Sequence, residues 1–294
     1  MKKLADNIRR VGLVANVEKS SCAAVVREAA RLVRASGREP VADAATARLA
    51  NLRTATAADA AAVARETDLL LVFGGDGTML RAARDTAEAG TPLLGVNLGG
   101  LGFLTAISAG QFAKELRAVW LGKFTIETRP LIEVSGALRG KLLSYPALND
   151  FVVSRGSGSR LIDLEVTVDG EELTRYRCDG LIVSSPTGST AYSLAAGGAI
   201  VSPSAEVFTI TPICPHTLSN RSVVVSLNSA IGIRSLSGRI ETLLSADGEV
   251  VTPLGAEETV LIRRSARSVR LLHLGGNSFF KTLRQKLNWS GSNV

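Results

Sequence analysis

The N-terminal part of the chain alternates apolar runs with segments of helical spacing. Apolar strands are predicted at residues 11–17, 67–73 and 92–96, and residues 21–36 have helical spacing that ends at Gly37. The Ala-rich residues 55–64 are interpreted as a helix surface. Alternating strands and helices are typical of an α/β domain with a parallel sheet.

From about Lys123 the pattern changes to short strands separated by turns. Asp169-Gly170 and Asp247-Gly248 each follow an apolar strand pattern and predict hairpins. Residues 278–289 again have helical spacing. We therefore predict an α/β domain at 1–122, an all-β domain at 123–275 and a C-terminal helical segment at 276–294. We expect ligands to bind in a cleft at the domain junction.

One turn combines glycines with a carboxylate. Residues 70–80 read LLVFGGDGTML, so an apolar strand leads directly into this turn. Gly74, Gly75 and Gly77 allow backbone N–H groups to approach phosphate oxygens, and a helix from Thr78 onward would point its positive end at the same place. Asp76 fits a Mg²⁺ partner or a base beside the transferring group. The alternative is a structural turn in which Asp76 caps the helix.

A second segment is dense in hydroxyls and glycines. Residues 179–194 read DGLIVSSPTGSTAYSL, and two further glycines follow at 197 and 198. A packed core does not need so many polar side chains in one place. The segment therefore indicates a second part of a binding site.

Composition narrows the class of protein. The chain has 294 residues, of which 46% are hydrophobic, enough for two domains with their own cores. It lacks an apolar run of membrane-spanning length and a secretory h-region, so we expect a cytoplasmic protein without a membrane partner. Three cysteines and two histidines favour neither a disulfide framework nor a zinc site. The net charge of +7 is scattered and aromatics make up 4%, which favours anionic small substrates over nucleic acid.

The two motifs, with Asn149-Asp150 between them, resemble the ATP-NAD kinase (NAD kinase) family of the bacterial type. The signature of that family is GGDGT, an Asn-Glu pair and DGxxxxTPTGSTAYxLSAGGPI. Residues 97–105 and 212–216 match in the same order, so the resemblance covers most of the chain. It implies a Rossmann-like α/β domain with a parallel sheet, a sandwich-like all-β domain, and a C-terminal helix that packs back on the first domain.

The resemblance also implies an activity. The enzyme would transfer the γ-phosphoryl group of ATP to the 2′-hydroxyl of the adenosine ribose of NAD and produce NADP. It would use a divalent cation, Mg²⁺, that arrives with ATP and has no fixed protein ligands. NAD and ATP would be its small-molecule substrates, and the protein would form a homodimer or homotetramer.

Residue roles follow from the same motifs. Asp76 would be the catalytic base. The phosphate and ATP site would comprise Gly74, Gly75, Gly77, Thr78 and Arg81. The NAD site would comprise Asp76, Gly77, Asn149, Asp150, Arg160, Arg177, Asp179, Thr190, Ala191, Tyr192, Ser193, Leu194, Ala195 and Glu249.

The chain departs from the family pattern at several positions, and for some residues a purely structural role is the alternative to a ligand contact. Asp150, Ala195 and Glu249 replace a glutamate, a serine and a glutamine. Arg81 has the alternative of a solvated surface arginine, Asn149-Asp150 that of a turn, and Tyr192 that of a core aromatic. Two rival functions remain, another GGDGT-type kinase acting on a lipid or sugar and a non-catalytic NAD(P)-binding regulator. A dehydrogenase is disfavoured because no GxGxxG follows the first strand.

Overall fold

The computed structural model describes residues 2–100, 102–105, 107–158, 160–217, 221–238, 240–275 and 278–289. The first half contains α1 (Lys2–Asn7), β1 (Arg10–Ala15), α2 (Cys22–Ala35), β2 (Glu39–Asp43), α3 (Ala44–Ala50), β3 (Ala55–Ala57), α4 (Ala60–Arg65), β4 (Leu69–Gly74), α5 (Asp76–Thr86), β5 (Leu93–Asn97), β6 (Ile107–Ser108), a 3₁₀ turn (Ala109–Gln111), α6 (Phe112–Trp120), β7 (Phe124–Leu138) and β8 (Lys141–Ala147). The second half contains β9 (Asp150–Arg155), β10 (Ile162–Val168), β11 (Glu171–Cys178), β12 (Gly180–Ser184), a 3₁₀ turn (Thr187–Thr190), α7 (Tyr192–Ala195), β13 (Val207–Ile213), β14 (Val223–Ser226), β15 (Ile231–Ser235), β16 (Thr242–Ala246), β17 (Glu249–Leu254), β18 (Thr259–Leu274) and α8 (Phe279–Lys286).

The chain folds as two compact units. Unit 1 comprises Met1–Arg129 and Ser268–Val294, and unit 2 comprises Pro130–Arg267. These limits lie seven and eight residues from the predicted ones, because the long strands β7 and β18 each contain a point of division. Within the described part of the chain, no helix is long and apolar enough to cross a membrane.

Unit 1 is the predicted α/β domain. Its sheet has the order β3-β2-β1-β4-β5 with parallel neighbours, and Leu271 of β18 continues it in parallel beside Leu93. Every residue of β4 is buried, as expected for an apolar strand covered on both faces. Helix α2 buries Val26, Ala29 and Val33, which share one face, in the same core. The parallel α/β prediction is confirmed.

Helix α8 belongs to unit 1. Its N-cap Ser278 accepts a hydrogen bond from the Lys281 backbone N–H, at 3.2 Å from its Oγ. The Phe279 ring lies 6.2 Å from the Phe103 ring, centroid to centroid, and Leu283 is buried. The predicted return of a C-terminal helix to the first domain is therefore confirmed.

Unit 2 is a sandwich of two antiparallel sheets. One has the order β14-β13-β12-β9-β16-β17, and the other runs β11-β10-β15-β18 and continues through β7 and β8. Phe151 and Phe208 of the first sheet share a core with Leu164 and Ile233 of the second. The predicted all-β domain is confirmed.

Both predicted Asp-Gly hairpins form. Asp169 and Asp247 have φ of 54° and 49°, and the glycines that follow have φ of 87° and 84°. Two consecutive positive φ angles are those of the tight turn that suits hairpin twist.

Two local predictions need correction. Residues 55–64 are not one helix surface, because residues 55–57 form β3, which pairs with β2, before α4 begins at Ala60. Strand pairing here overrides the helix propensity of alanine. Helix α5 begins at Asp76 rather than Thr78.

Candidate active site

The glycine-rich turn joins β4 to α5 in unit 1. A Cβ placed on Gly74 would lie 2.2 Å from Thr78 Oγ1, so only glycine fits where the strand ends. A Cβ on Gly75 or Gly77 would meet no atom within 4 Å. The turn thus presents its backbone to open space at the positive end of an 11-residue helix, which is the arrangement that binds phosphate.

Asp76 does not cap its own helix. The N-cap of α5 is Gly75, and the Asp76 carboxylate instead reaches a loop nearly thirty residues further along the chain. The Phe103 backbone N–H donates to Oδ2 at 2.8 Å and the Leu104 N–H donates to Oδ1 at 3.1 Å. Two N–H donors fix the carboxylate and leave further lone pairs to accept a proton. The arrangement favours a chemical role over the capping alternative.

The loop that holds Asp76 is itself built by Asn97. Its Oδ1 accepts the Gly99 N–H at 2.8 Å, and its Nδ2 donates to Thr105 Oγ1 at 3.1 Å. A Cβ on Gly102 would lie 2.1 Å from Asp76 Oδ1, so the backbone here approaches the carboxylate as closely as only glycine allows. The sequence motif at 97–105 is thus the support of the Asp76 side chain.

Arg81 lies one helical turn after the glycine-rich turn, and its side chain is 75% exposed. Its Nε is 3.7 Å from Asp85 Oδ2 on the same helix, a surface pair that contributes little to stability. A role for Arg81 at phosphate stays a prediction.

In unit 2, Asn149 lies between β8 and β9, and Asp150 is the first residue of β9. Asp247 accepts backbone N–H groups of this turn, and the Ser185 N–H donates to the Asn149 carbonyl at 2.8 Å. The turn alternative fits Asn149, which lies in a bend, but not Asp150, which begins a strand. Ligand roles for both side chains stay predictions. Sequence reasoning assigned Asp247 only to a hairpin. The one sequence feature that could have indicated its contact with the Asn149 backbone is the carboxylate at that hairpin position.

Asp150 is 3% exposed, and the pKa of its carboxyl is raised to about 7. Burial is the larger cause and the charge of Asp247 the smaller one. The family's glutamate is thus replaced by a shorter acid that lies in the interior of unit 2.

The serine-rich turn is more structural than its sequence indicated. Ser185 Oγ donates to the Leu148 carbonyl at 2.5 Å, Ser189 Oγ bonds both backbone groups of Val201 at 3.1 Å, and Ser193 Oγ lies 3.1 Å from Thr211 Oγ1. These three serines are fully buried. Their hydroxyls satisfy backbone and side-chain partners, so a packed core does use them. A ligand contact by Ser193 stays a prediction.

The next turn exposes the remaining residues of the motif. Tyr192, the first residue of α7, is 49% exposed, so it is not a core aromatic and the interpretation as a ligand-contacting ring is favoured. Ala195 is exposed at the end of the same helix, and Thr190, Ala191 and Leu194 are partly exposed.

The predicted charged residues are distributed differently. Asp179 Oδ1 accepts from Arg155 Nε at 2.6 Å, a partner that the sequence did not indicate. Arg160, Arg177 and Glu249 are exposed on the surface of unit 2. Ligand roles for Arg160, Arg177, Asp179 and Glu249 stay predictions.

Unit 1 also contains a cavity of about 350 Å³ beside the Asp76-holding loop. Its charged wall is Glu127, whose carboxylate lies 2.8 Å from Arg129 Nε and 3.0 Å from His273 Nε2. Hydrogen bonds from His273 and Arg129 lower the pKa of Glu127 to about 2, although desolvation alone would raise it. Sequence reasoning assigned no role to this cluster.

A divalent cation would find the Asp76 carboxylate at the first turn of α5. Among the described residues, no group of three or more His, Cys, Asp and Glu side chains lies together. Mg²⁺ commonly binds through one or two carboxylates plus phosphate oxygens. A carboxylate at the phosphate-binding turn, as Asp76 provides, fits an ion carried by a nucleotide.

Comparisons with known proteins identify the family of the chain. The family models of the ATP-NAD kinase N-terminal and C-terminal domains match residues 11–124 and 148–274. The chain is 46% identical over 224 residues to the NAD kinase of Symbiobacterium thermophilum, covering 76% of this chain and 79% of that protein. It is 39% identical over 283 residues to the NAD kinase of Geobacter sulfurreducens, covering 96% and 99%.

Two solved structures have a similar fold. Yeast NADH kinase complexed with NADH has a TM-score of 0.88 at 25% identity, with 98% of this chain and 89% of that chain covered. The NAD kinase from Archaeoglobus fulgidus in complex with ATP has a TM-score of 0.74 at 26% identity, with 96% and 100% covered. From these matches, the chain belongs to the NAD kinase family.

Proposed function

We propose that this chain is a Mg²⁺-dependent NAD kinase that transfers the γ-phosphoryl group of ATP to the 2′-hydroxyl of the adenosine ribose of NAD. The observation that carries the proposal is the Asp76 carboxylate, fixed by two backbone N–H groups at the open N-terminus of α5. Relatives named NAD kinase support it, as do solved neighbours in complex with NADH and with ATP.

Asp76 acts as the base in this mechanism. Its carboxylate accepts the proton of the ribose 2′-hydroxyl while that oxygen forms a bond to the γ-phosphorus and the bond from phosphorus to the β-bridging oxygen breaks. The products are NADP and ADP, with the proton on Asp76. The Phe103 and Leu104 N–H groups keep the carboxylate in a fixed orientation, which is the main contribution a protein makes to phosphoryl transfer.

The glycine-rich turn binds the donor phosphates. Gly75 and Gly77 border open space at the positive end of α5, where backbone N–H groups stabilise phosphate charge. The Thr78 N–H donates to the Gly75 carbonyl at 3.1 Å, so a phosphate contact by Thr78 falls to its hydroxyl. A divalent cation bound to ATP supplies further neutralisation of the phosphate oxygens.

Unit 2 provides the NAD-binding residues in this proposal. The Asn149 amide offers both donors and an acceptor for ribose or adenine groups, and the exposed Tyr192 ring offers a face for stacking. We assign Thr190, Ala191 and Leu194 to the same contact surface, because each is partly exposed next to Tyr192.

The test is NADP formation by purified protein from NAD, ATP and Mg²⁺, measured with an NADP-specific dehydrogenase. The proposal requires product with NAD and none with 2′-deoxyadenosine NAD, whose acceptor hydroxyl is missing. NAD binding without turnover would instead indicate a regulator. A chain that does not bind NAD would indicate another GGDGT-type kinase.

Polyphosphate in place of ATP and NADH in place of NAD define the donor and acceptor range in the same assay. Light scattering during size-exclusion chromatography tests the expected homodimer or homotetramer.

A further inference from the structure

The Asp247 side chain accepts hydrogen bonds from three consecutive backbone N–H groups around Asn149. Its Oδ1 accepts the Asn149 N–H at 2.7 Å and the Asp150 N–H at 3.3 Å, and its Oδ2 accepts the Leu148 N–H at 3.1 Å. The Asp247 N–H in turn donates to the Asp150 carbonyl at 3.0 Å. One carboxylate therefore fixes three consecutive residues about 100 positions away in the sequence.

The opposite side of the same turn is fixed by the serine-rich segment. The Ser185 N–H donates to the Asn149 carbonyl at 2.8 Å, and a Cβ on Gly188 would lie 2.2 Å from that carbonyl oxygen. The backbone of Asn149 is thus held between the β16–β17 hairpin and the residues after β12. These contacts fix the position from which the Asn149 side chain extends. Such support is what precise positioning of a ligand contact requires.

The arrangement is electrostatically unfavourable for the fold alone. Asp247 stands beside the buried Asp150, and its charge contributes to the raised pKa of that carboxyl. An asparagine adopts the positive φ of this hairpin position as readily and carries no charge. The carboxylate therefore serves the three N–H groups rather than the turn, and such costs concentrate at functional sites.

We propose that Asp247 is a positioning residue for NAD, and that it acts by holding the Asn149 amide through the three backbone N–H groups it accepts. The inference rests on the proposed function, in which Asn149 contacts NAD. It assigns Asp247 no contact with the substrate.

The test compares Asp247→Asn with Asp169→Asn. Asp169 is a matched control because it occupies the same hairpin position, with φ of 54° and a carboxylate that accepts the Ala230 N–H at 2.8 Å. In Asp247→Asn the amide NH₂ replaces one acceptor and faces an N–H donor. We expect the Kd and KM for NAD to rise about tenfold in Asp247→Asn, the loss expected for one ligand hydrogen bond, with the KM for ATP unchanged. Asp169→Asn should leave all three unchanged.

A double-mutant cycle separates positioning from general stability. If Asp247 acts through Asn149, the combination of Asp247→Asn with Asn149→Ala binds NAD no more weakly than Asn149→Ala alone. Losses that multiply would overturn the inference, as would equal NAD affinity in the wild type and Asp247→Asn. An Asp247→Asn protein that fails to fold while Asp169→Asn folds would also overturn it, because Asp247 would then be a stability residue. Wild-type protein that does not bind NAD would refute the proposed function instead.

Discussion

The backbone N–H of Phe103 donates a hydrogen bond of 2.8 Å to Oδ2 of Asp76. This bond joins the turn after β4 to the loop after β5, so two motifs that are separate in the sequence form one structural unit. The carboxylate expected to accept the hydroxyl proton is thus oriented by a backbone donor that no conservative side-chain substitution removes.

Asp76→Asn should lower kcat by about 10²–10⁴-fold, the range for loss of a general base, while the Kd for NAD changes little. The matched control is Asp68→Asn, since Asp68 Oδ2 also accepts two backbone N–H groups, those of Arg9 and Arg10, both at 2.8 Å. Steady-state kinetics and calorimetric titration with NAD measure both effects. Full turnover in Asp76→Asn would remove Asp76 from the mechanism.

Gly102→Ala tests the support of Asp76 without changing the carboxylate. The new Cβ would lie 2.1 Å from Asp76 Oδ1 and 2.6 Å from Thr105 Oγ1, so the carboxylate must move. A displacement of about 1 Å at a reacting group can reduce turnover about 10²-fold. Gly99→Ala is the control in the same loop, because its Cβ would meet nothing closer than 3.9 Å. Equal kcat values for the two variants would contradict the coupling.

Tyr192→Ala should raise the KM for NAD about tenfold, equivalent to roughly 1.4 kcal/mol, because an exposed aromatic ring can contact the dinucleotide. Its free energy of unfolding should change by less than about 0.5 kcal/mol, since the side chain is 49% exposed. Tyr176→Ala should do the opposite and cost about 3 kcal/mol, because Tyr176 is 7% exposed in the core of unit 2. Urea denaturation alongside kinetics distinguishes the two. A large stability loss in Tyr192→Ala would contradict the surface role.

The parts of the fold that the sequence predicted are those governed by local rules. An apolar run followed by glycines identified β4 and its turn, and two Asp-Gly pairs identified hairpins, because positive φ restricts which residues fit. The strand β3 was missed because its pairing with β2 is a tertiary interaction that opposes alanine's helix propensity.

The supports of the candidate site depend on contacts between distant residues. Asp247 lies 98 positions from Asn149, and Phe103 lies 27 positions from Asp76. Neither distance leaves a periodic or spacing signal in the sequence. The role of the buried Ser185 hydroxyl was likewise predicted wrongly, because a polar composition does not reveal whether a side chain bonds a ligand or the backbone.

Glu127 should stabilise unit 1 mainly above pH 4.5. Its folded pKa is lowered to about 2, below the ordinary value of 4.5, by hydrogen bonds from His273 and Arg129 against desolvation. The stability it contributes is therefore present above pH 4.5 and is lost as the pH falls through about 2. Glu127→Gln should be less stable than wild type at pH 7, and the difference in urea midpoint should shrink at pH 3. The exposed Glu18→Gln serves as control, and a difference that does not depend on pH would contradict the ion-pair origin.

Asp150 should make the protein less stable as the pH rises from about 4 to 7. Burial, and secondly the charge of Asp247, raise its pKa from 3.8 to about 7, so the folded state retains a proton that the unfolded state has already released. The stability contribution of Asp150 is therefore fully present below its unfolded-state pKa of 3.8, and it declines as the pH rises to the folded-state pKa of about 7. At 1.36 kcal/mol per unit, a shift of about three units corresponds to a decline of at most about 4 kcal/mol.

Asp150→Asn keeps this side chain neutral at every pH and should remove most of that decline. Urea unfolding at pH 4, 5.5, 7 and 8.5 measures it, with the exposed Asp163→Asn as control. Asp247→Asn removes only the smaller of the two causes, so it should reduce the decline less than Asp150→Asn does. Parallel stability curves for wild type and Asp150→Asn would show that the Asp150 carboxyl has the same pKa in the folded and unfolded states. Hydrogen-bond donors to the Asp150 carboxylate, other than the backbone N–H groups that Asp247 accepts, would then offset its burial and the charge of Asp247.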